Sequence, residues 1–132
     1  MKRFLIISVL VVALFAGATP SHAVSKSAAF RSARTETTRG TARIANTAKP
    51  VLRFSTSFRT SSGPRLRVYL SSAPAGSAES KYNDDIIDLG ALKSRSGAQS
   101  YTIPAGVNLS KYRTVVIWCA KFHVLFGTAR LS

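Results

Sequence analysis

The chain has 132 residues, with 19 lysines and arginines against 5 aspartates and glutamates and a formal net charge of +14. It contains one cysteine, which excludes an internal disulfide, and its length favours a single domain with a packed core of its own. The strong positive charge indicates possible anionic partners and carries no information about the fold.

The first 23 residues have the parts of a secretory signal peptide. Lys2 and Arg3 give a positive start, and a predominantly apolar run follows at 4–18. Pro20 comes next, and Ser21 and Ala23 are small residues at the positions that a signal peptidase reads. The apolar run is shorter than the about 20 residues that a membrane span needs. We therefore expect this segment to be removed and the protein to be secreted or periplasmic, with no transmembrane span after cleavage.

The mature chain is expected to cover residues 24–132. It keeps 109 residues, and its charge falls to +12 because Lys2 and Arg3 leave with the signal peptide. Residues 24–49 are polar and basic, so we predict a loosely held N-terminal arm with one or two edge strands. The remainder is expected to form one domain.

From Val51 onward the sequence shows short segments that are typical of β-strands. Alternation of period two runs through 51–58 and 66–70, and the segments 114–120 and 122–127 are rich in β-branched and aromatic residues. Glycine and proline clusters separate these segments as turns do. The pattern predicts an all-β fold, an antiparallel β-sandwich of jelly-roll or immunoglobulin-like type.

Alternation in the segment 114–126 also places the cysteine. The even positions from Val116 to Phe126 are all apolar or small, so they predict one inward face that includes Trp118 and Phe122. The odd positions are apolar at first and become polar at Lys121. Cys119 is therefore predicted to lie at the boundary between the buried and the exposed part of this face. We therefore expect a partly accessible thiol near Lys121, whose positive charge would favour the thiolate.

The residue inventory disfavours several redox and metal centres. Without the signal peptide the chain has one cysteine, one histidine (His123) and no methionine. Blue copper needs two histidines and a cysteine, structural zinc four ligands, iron–sulfur clusters about four thiolates and covalent c-type haem a Cys-x-x-Cys-His motif. The carboxylates of Asp84, Asp85 and Asp88 lack the spacing of an EF-hand, so no metal site is predicted.

Several roles remain open for Cys119. It is a candidate redox thiol, a thiol that pairs with a cysteine of a partner, or an axial ligand of a non-covalent haem, with His123 as a weak second ligand. A hydrolytic Cys-His pair would require a bend near Ala120, because an extended strand separates the two residues by roughly 13 Å. The structural alternative is a buried small apolar residue, since free cysteine is among the most buried residue types.

Three motifs in the second half occur in the order found in one known family. A Gly-Pro pair precedes a Val-Tyr-Leu-Ser strand at 63–71, "DLGALKSRSGAQSYTIP" begins at Asp88, and "YRTVVIWCAKFHVLFGTARL" begins at Tyr112. Together they resemble the DM-thirteen domain family, also called the electron-transfer DM-thirteen domain. The resemblance covers about residues 29–132. The chain departs from the family pattern at Arg65, where an acidic or polar residue commonly follows Gly-Pro.

This resemblance implies an extracytoplasmic all-β domain whose characteristic cysteine, proposed to be redox-active, falls on Cys119. The family is associated with DOMON-type haem or sugar-binding domains, so a DOMON-type or other haem protein is the implied redox partner. The function expected on this basis is an exported accessory domain that acts in redox or electron transfer through Cys119. Such a protein is more an electron-transfer accessory than a stand-alone enzyme.

The net charge supports a competing function. A non-catalytic module with a structural cysteine could bind anionic cell-surface or extracellular polymers. The basic residues are scattered, no long run of consecutive lysines or arginines occurs, and no motif for sequence-specific nucleic-acid recognition is found. Binding of this kind would weaken steeply with salt and would survive the loss of Cys119.

Overall fold

The computed structural model describes residues 25–45 and 47–131, and the predicted signal peptide, 1–23, lies outside the described residues. Within these ranges the chain forms eleven strands and one short 3₁₀ helix, Glu79–Asn83. The strands are β1 (Ser25–Ala29), β2 (Arg31–Ser32), β3 (Thr38–Arg39), β4 (Thr41–Ala45), β5 (Val51–Phe54), β6 (Arg59–Thr60), β7 (Leu66–Ser71), β8 (Ile86–Ala91), β9 (Gln99–Thr102), β10 (Thr114–Cys119) and β11 (Val124–Arg130).

Two antiparallel sheets enclose the main core. One has four strands in the order β1-β4-β5-β9, and the other has five in the order β2-β11-β10-β7-β8. The short pair of β3 and β6 continues the β4–β5 hairpin beyond the first sheet. All strand pairs in the described residues are antiparallel. The predicted all-β antiparallel sandwich is confirmed.

The segment predicted as an arm, residues 24–49, contributes both edge and interior strands. β1 and β2 lie at the edges of the two sheets, whereas β4 lies inside the four-stranded sheet. Ala42 and Ile44 alternate with exposed neighbours along β4 and are buried in the main core. Packing of these two side chains therefore ties the segment to the rest of the domain.

Four aromatic rings form the centre of the main core beneath the four-stranded sheet. The ring centroid of Phe54 lies 4.5 Å from that of Phe58, 5.1 Å from that of Phe30 and 5.3 Å from that of Tyr101. All four residues are buried. Contacts at these distances stabilise a core beyond the area that the rings bury.

Strand β10 is buried on both faces, which corrects the predicted inward face. The odd positions Val115 and Ile117 pack in the main core between the sheets. The even positions Val116 and Trp118 pack in a second, smaller cluster on the other side of the five-stranded sheet. Tyr82, from the 3₁₀ helix, belongs to this second cluster and helps to cover it. The period of two was right, but the face that looks into the main core is the odd one.

The alternation predicted through residue 126 is interrupted twice. The chain turns at 120–123 to join β10 to β11, and Phe122 in this turn is 61% exposed rather than inward. A bulge follows, because Ile117 pairs with Gly127 while Trp118 pairs with Leu125. In the part of the chain that the structure describes, no helix is long and apolar enough to cross a membrane.

Candidate functional site

The single cysteine is the last residue of β10 and lies inside the sandwich. Cys119 is opposite Leu66 of β7 on one side and Val124 of β11 on the other. Cys119 is 1% exposed and belongs to the main core. The prediction that it lies on the face opposite Trp118 is confirmed, but the expected partial accessibility is wrong. The odd face turns polar only after the strand has ended, so the thiol is enclosed.

The thiol has a specific hydrogen-bond partner in the preceding turn. Sγ of Cys119 donates to the backbone carbonyl oxygen of Pro64 at 3.0 Å. One residue later, the amide of Ala120 donates to the carbonyl oxygen of Arg65, also at 3.0 Å. The turn Gly63–Arg65 is therefore held against the end of β10 by two hydrogen bonds. We call Cys119 and this turn the thiol site.

Gly63 allows the turn to lie this close to the core. A β-carbon at this position would lie 2.4 Å from Cζ of Phe126 and 2.8 Å from its Cε2. Side chains do not tolerate such distances, so only glycine lets the backbone rest on the Phe126 ring without a shift. The sequence motif Gly-Pro was noted as part of the family pattern, yet its contact with Cys119 across 55 residues could not be read from spacing.

Lys121, which was expected near the thiol, and His123, which was left open as a weak second ligand, both lie in the turn after β10. His123 lies at the end of the β10–β11 turn with φ of +54° and is exposed. Nζ of Lys121 lies 5.4 Å from the centroid of the Phe122 ring. In the described residues neither side chain is hydrogen-bonded to Cys119, although the chain does bend at 120–123. The arrangement therefore provides no Cys-His catalytic pair.

The site as folded does not fit a haem ligated by Cys119. The sulfur is enclosed by the core and by the Gly63–Arg65 turn, and Cys119 lines none of the four surface clefts found among the described residues. One of these four clefts, of about 460 Å³, is lined by Tyr112 and Leu131, next to the opposite end of β10. That strand has six residues, so the cleft lies on the order of 17 Å away along it.

The carboxylates of the 84–88 region are engaged by basic and hydroxyl groups. Asp85 accepts hydrogen bonds from the hydroxyls of Tyr112 and Ser72 and pairs with Lys111 at 3.1 Å. These contacts lower the pKa of the Asp85 carboxyl below its usual value, and the hydrogen bond from Tyr112 contributes most to this shift. No group of three or more potential metal ligands occurs among the described residues.

Arg65 adopts a backbone conformation that its side chain disfavours. Its φ is +51°, in the left-handed region where asparagine, aspartate and glycine are preferred. The same geometry explains why an acidic or polar residue suits the position after Gly-Pro. We expect Arg65→Asn to raise the free energy of unfolding by about 0.5–1 kcal/mol, measured by urea denaturation. An equal or lower stability would show that the exposed arginine side chain contributes more than its backbone conformation costs.

Comparison with known proteins agrees with the motifs. The family model described as electron transfer DM13 matches residues 29–131, a range that includes the whole thiol site. Neither the curated proteins nor the solved structures give a match. The Gly-Pro turn and the Val-Val-Ile-Trp-Cys strand, separate in sequence, meet in the fold at one hydrogen bond. Since the match spans most of the sequence, the chain belongs to the electron transfer DM13 family.

Proposed function

We propose that this protein is an exported accessory electron-transfer domain in which Cys119 is the reacting group. Membership of an electron-transfer family supports a redox-related role. The observation that supports Cys119 is the hydrogen bond from its thiol to the carbonyl oxygen of Pro64. That bond links the only thiol of the chain, which is buried at the end of β10, to a surface turn.

The redox step that a single thiol can complete is exchange with a disulfide of a partner. The thiol loses its proton, and the thiolate sulfur of Cys119 attacks one sulfur of the partner's disulfide. A new S–S bond forms, the partner's S–S bond breaks, and its electron pair leaves with the departing sulfur, which takes up a proton. Cys119 is thereby oxidised to a mixed disulfide, and one partner sulfur is reduced to a thiol.

The reaction requires the turn Gly63–Arg65 to open. Pro64 and Arg65 are exposed, and the hydrogen bonds found between the turn and β10 are the two already described. Short surface segments with few anchoring contacts open locally at a lower free-energy cost than the whole domain. Opening removes the Pro64 carbonyl from Sγ and lets the deprotonated thiol meet a partner. The DOMON-type or haem partner suggested by resemblance remains a prediction, and the step needs from it only an accessible disulfide.

Reversible formation of a mixed disulfide tests this function. The folded mature protein is incubated with glutathione disulfide, and its intact mass is measured before and after addition of a dithiol reductant. We expect one glutathione per chain, full reversal by the reductant and an unchanged β-sheet circular dichroism spectrum. Cys119→Ser, whose hydroxyl can replace the thiol as donor to Pro64, should gain no mass. If the native protein gains none either, or loses its spectrum on modification, the cysteine is a structural residue.

Export is tested separately by the N-terminal sequence of the protein recovered outside the cytoplasm. Cleavage after Ala23 should give a chain that begins at Val24. The expected result is a single N-terminus at this position in the extracytoplasmic fraction. Recovery of protein that still begins at Met1, in the membrane or the cytoplasm, would contradict export and leave the thiol chemistry untouched.

A further inference from the structure

A band of arginines lies on the outer side of the four-stranded sheet and its extension. Arg43 of β4 lies directly opposite Arg53 of β5, and Arg39 of β3 lies directly opposite Arg59 of β6. All four residues are exposed, while the residues that alternate with them are buried. Two successive cross-strand pairs in one hairpin therefore place like charges face to face. We call these four residues the arginine face.

Like charges that lie directly opposite each other on neighbouring strands tend to destabilise a sheet. The segments 37–78 and 89–132 contain no aspartate or glutamate, and the five carboxylates of the chain are Glu36 and four residues in 79–88. The three ion pairs of the described residues all use carboxylates from 84–88. The strands that carry the arginine face thus supply no carboxylate of their own.

Two further cations widen the face at its β9 side. Nζ of Lys93 donates to the backbone carbonyl of Ser100, the residue opposite Arg53. The carbonyl oxygen of Arg95 accepts from the amide of Thr60, next to Arg59 in β6. Lys93 and Arg95 are exposed. The cations therefore extend across neighbouring chain segments rather than forming a single row.

We propose that the arginine face binds a linear acidic polysaccharide. The two arginine pairs follow one another along the hairpin, and the partners within each pair lie on neighbouring strands about 5 Å apart. The face is therefore a succession of cationic pairs, as a linear chain with repeated anionic groups requires. Guanidinium groups can hold sulfate or carboxylate through two parallel hydrogen bonds each.

The surroundings favour a polysaccharide over two other polyanions. Single-stranded nucleic acid is usually held by exposed aromatic rings on which bases stack, and docking to a bilayer usually adds inserted apolar side chains. The exposed large hydrophobic residue of the described chain is Phe122, which lies in the β10–β11 turn of the other sheet. The arginine face offers charge and hydrogen-bond donors without such groups.

The test is binding of the mature protein to a heparin oligosaccharide and to polygalacturonate, by calorimetry at low and physiological salt. Wild-type protein should bind, with an affinity that falls steeply as salt rises. Arg53→Gln/Arg59→Gln, which breaks both opposed pairs, should bind about tenfold more weakly at low salt. The two ligands separate sulfate from carboxylate as the preferred group. The same variant should show an unchanged or raised Tm, because repulsion between strands is relieved.

Arg31→Gln/Arg34→Gln is the matched control, since it removes two exposed arginines near the edge of the other sheet. Its affinity for the polysaccharide should lie within about twofold of the wild-type value. Cys119→Ser should bind with the wild-type affinity, because the thiol site is not involved. Equal losses in the two arginine pairs would overturn the arginine face as a site. Tighter binding of duplex DNA or of vesicles with anionic lipids than of either polysaccharide would overturn the proposed partner.

Discussion

Phe54→Ala should lower the free energy of unfolding by about 3–5 kcal/mol. Phe54 is 3% exposed, and its ring contacts those of Phe30, Phe58 and Tyr101 at centroid distances of 4.5–5.3 Å. Truncation removes these contacts and leaves a cavity between two sheets that cannot easily collapse. Such a loss is a large part of the total stability of a domain of this size. Equilibrium unfolding in urea measures it.

Phe122→Ala is the control for that substitution. It removes the same side chain from a position that is 61% exposed, so we expect a change within about 0.5 kcal/mol. A loss at Phe122 as large as that at Phe54 would mean that the β10–β11 turn packs against something in solution. A small loss at Phe54 would contradict the described core.

Gly40→Ala should cost about 2–4 kcal/mol, the sum of a conformational and a steric effect. Gly40 has φ of +99°, and a β-carbon there would lie 2.5 Å from Cα and 2.7 Å from the nitrogen of Phe58. Because those atoms are backbone of a fully buried residue, the neighbour cannot move aside. Urea denaturation should therefore show a clear loss relative to wild type.

Gly76→Ala separates the two effects. Gly76 also has a positive φ, +79°, but its β-carbon would meet nothing within 4 Å. We expect a loss of only about 1 kcal/mol, which reflects the left-handed backbone alone. Equal losses at Gly40 and Gly76 would show that the contact between Gly40 and Phe58 is looser than described.

Much of the fold could be predicted because strand alternation is a local property. Segments 51–58, 66–70 and 114–120 contain the strands that were expected, and glycine and proline mark the turns between them. The face of β10 that looks into the main core could not be predicted from the same signal. Val116 and Trp118 are apolar because the 3₁₀ helix and its neighbours cover the second side of the sheet, and such cover depends on tertiary packing.

The thiol site was predicted in part for a similar reason. Alternation predicted that the side chains of Cys119 and Trp118 lie on opposite faces of the same strand. The family motifs contained both the Gly-Pro pair and the cysteine. What local pattern could not supply was the turn that encloses the thiol, since Pro64 and Cys119 meet only through the pairing of β7 with β10. The strand ends at Cys119 and the chain turns there, and neither Lys121, which was expected near the thiol, nor His123, which was left open as a weak ligand, is hydrogen-bonded to Cys119 in the described structure.

The rate at which Cys119 reacts with an aromatic disulfide, without denaturant, tests the central claim most directly. Pro64→Ala frees the turn and should speed the reaction about two- to fivefold, since a proline at a compatible position is worth about 0.4–1 kcal/mol. Phe54→Ala should leave the rate nearly unchanged, because local opening does not require the aromatic core to separate. Cys119→Ser should not react. If Phe54→Ala instead accelerates the reaction more than a hundredfold, in step with its loss of stability, the thiol is reached only by global unfolding and the proposed redox role is wrong.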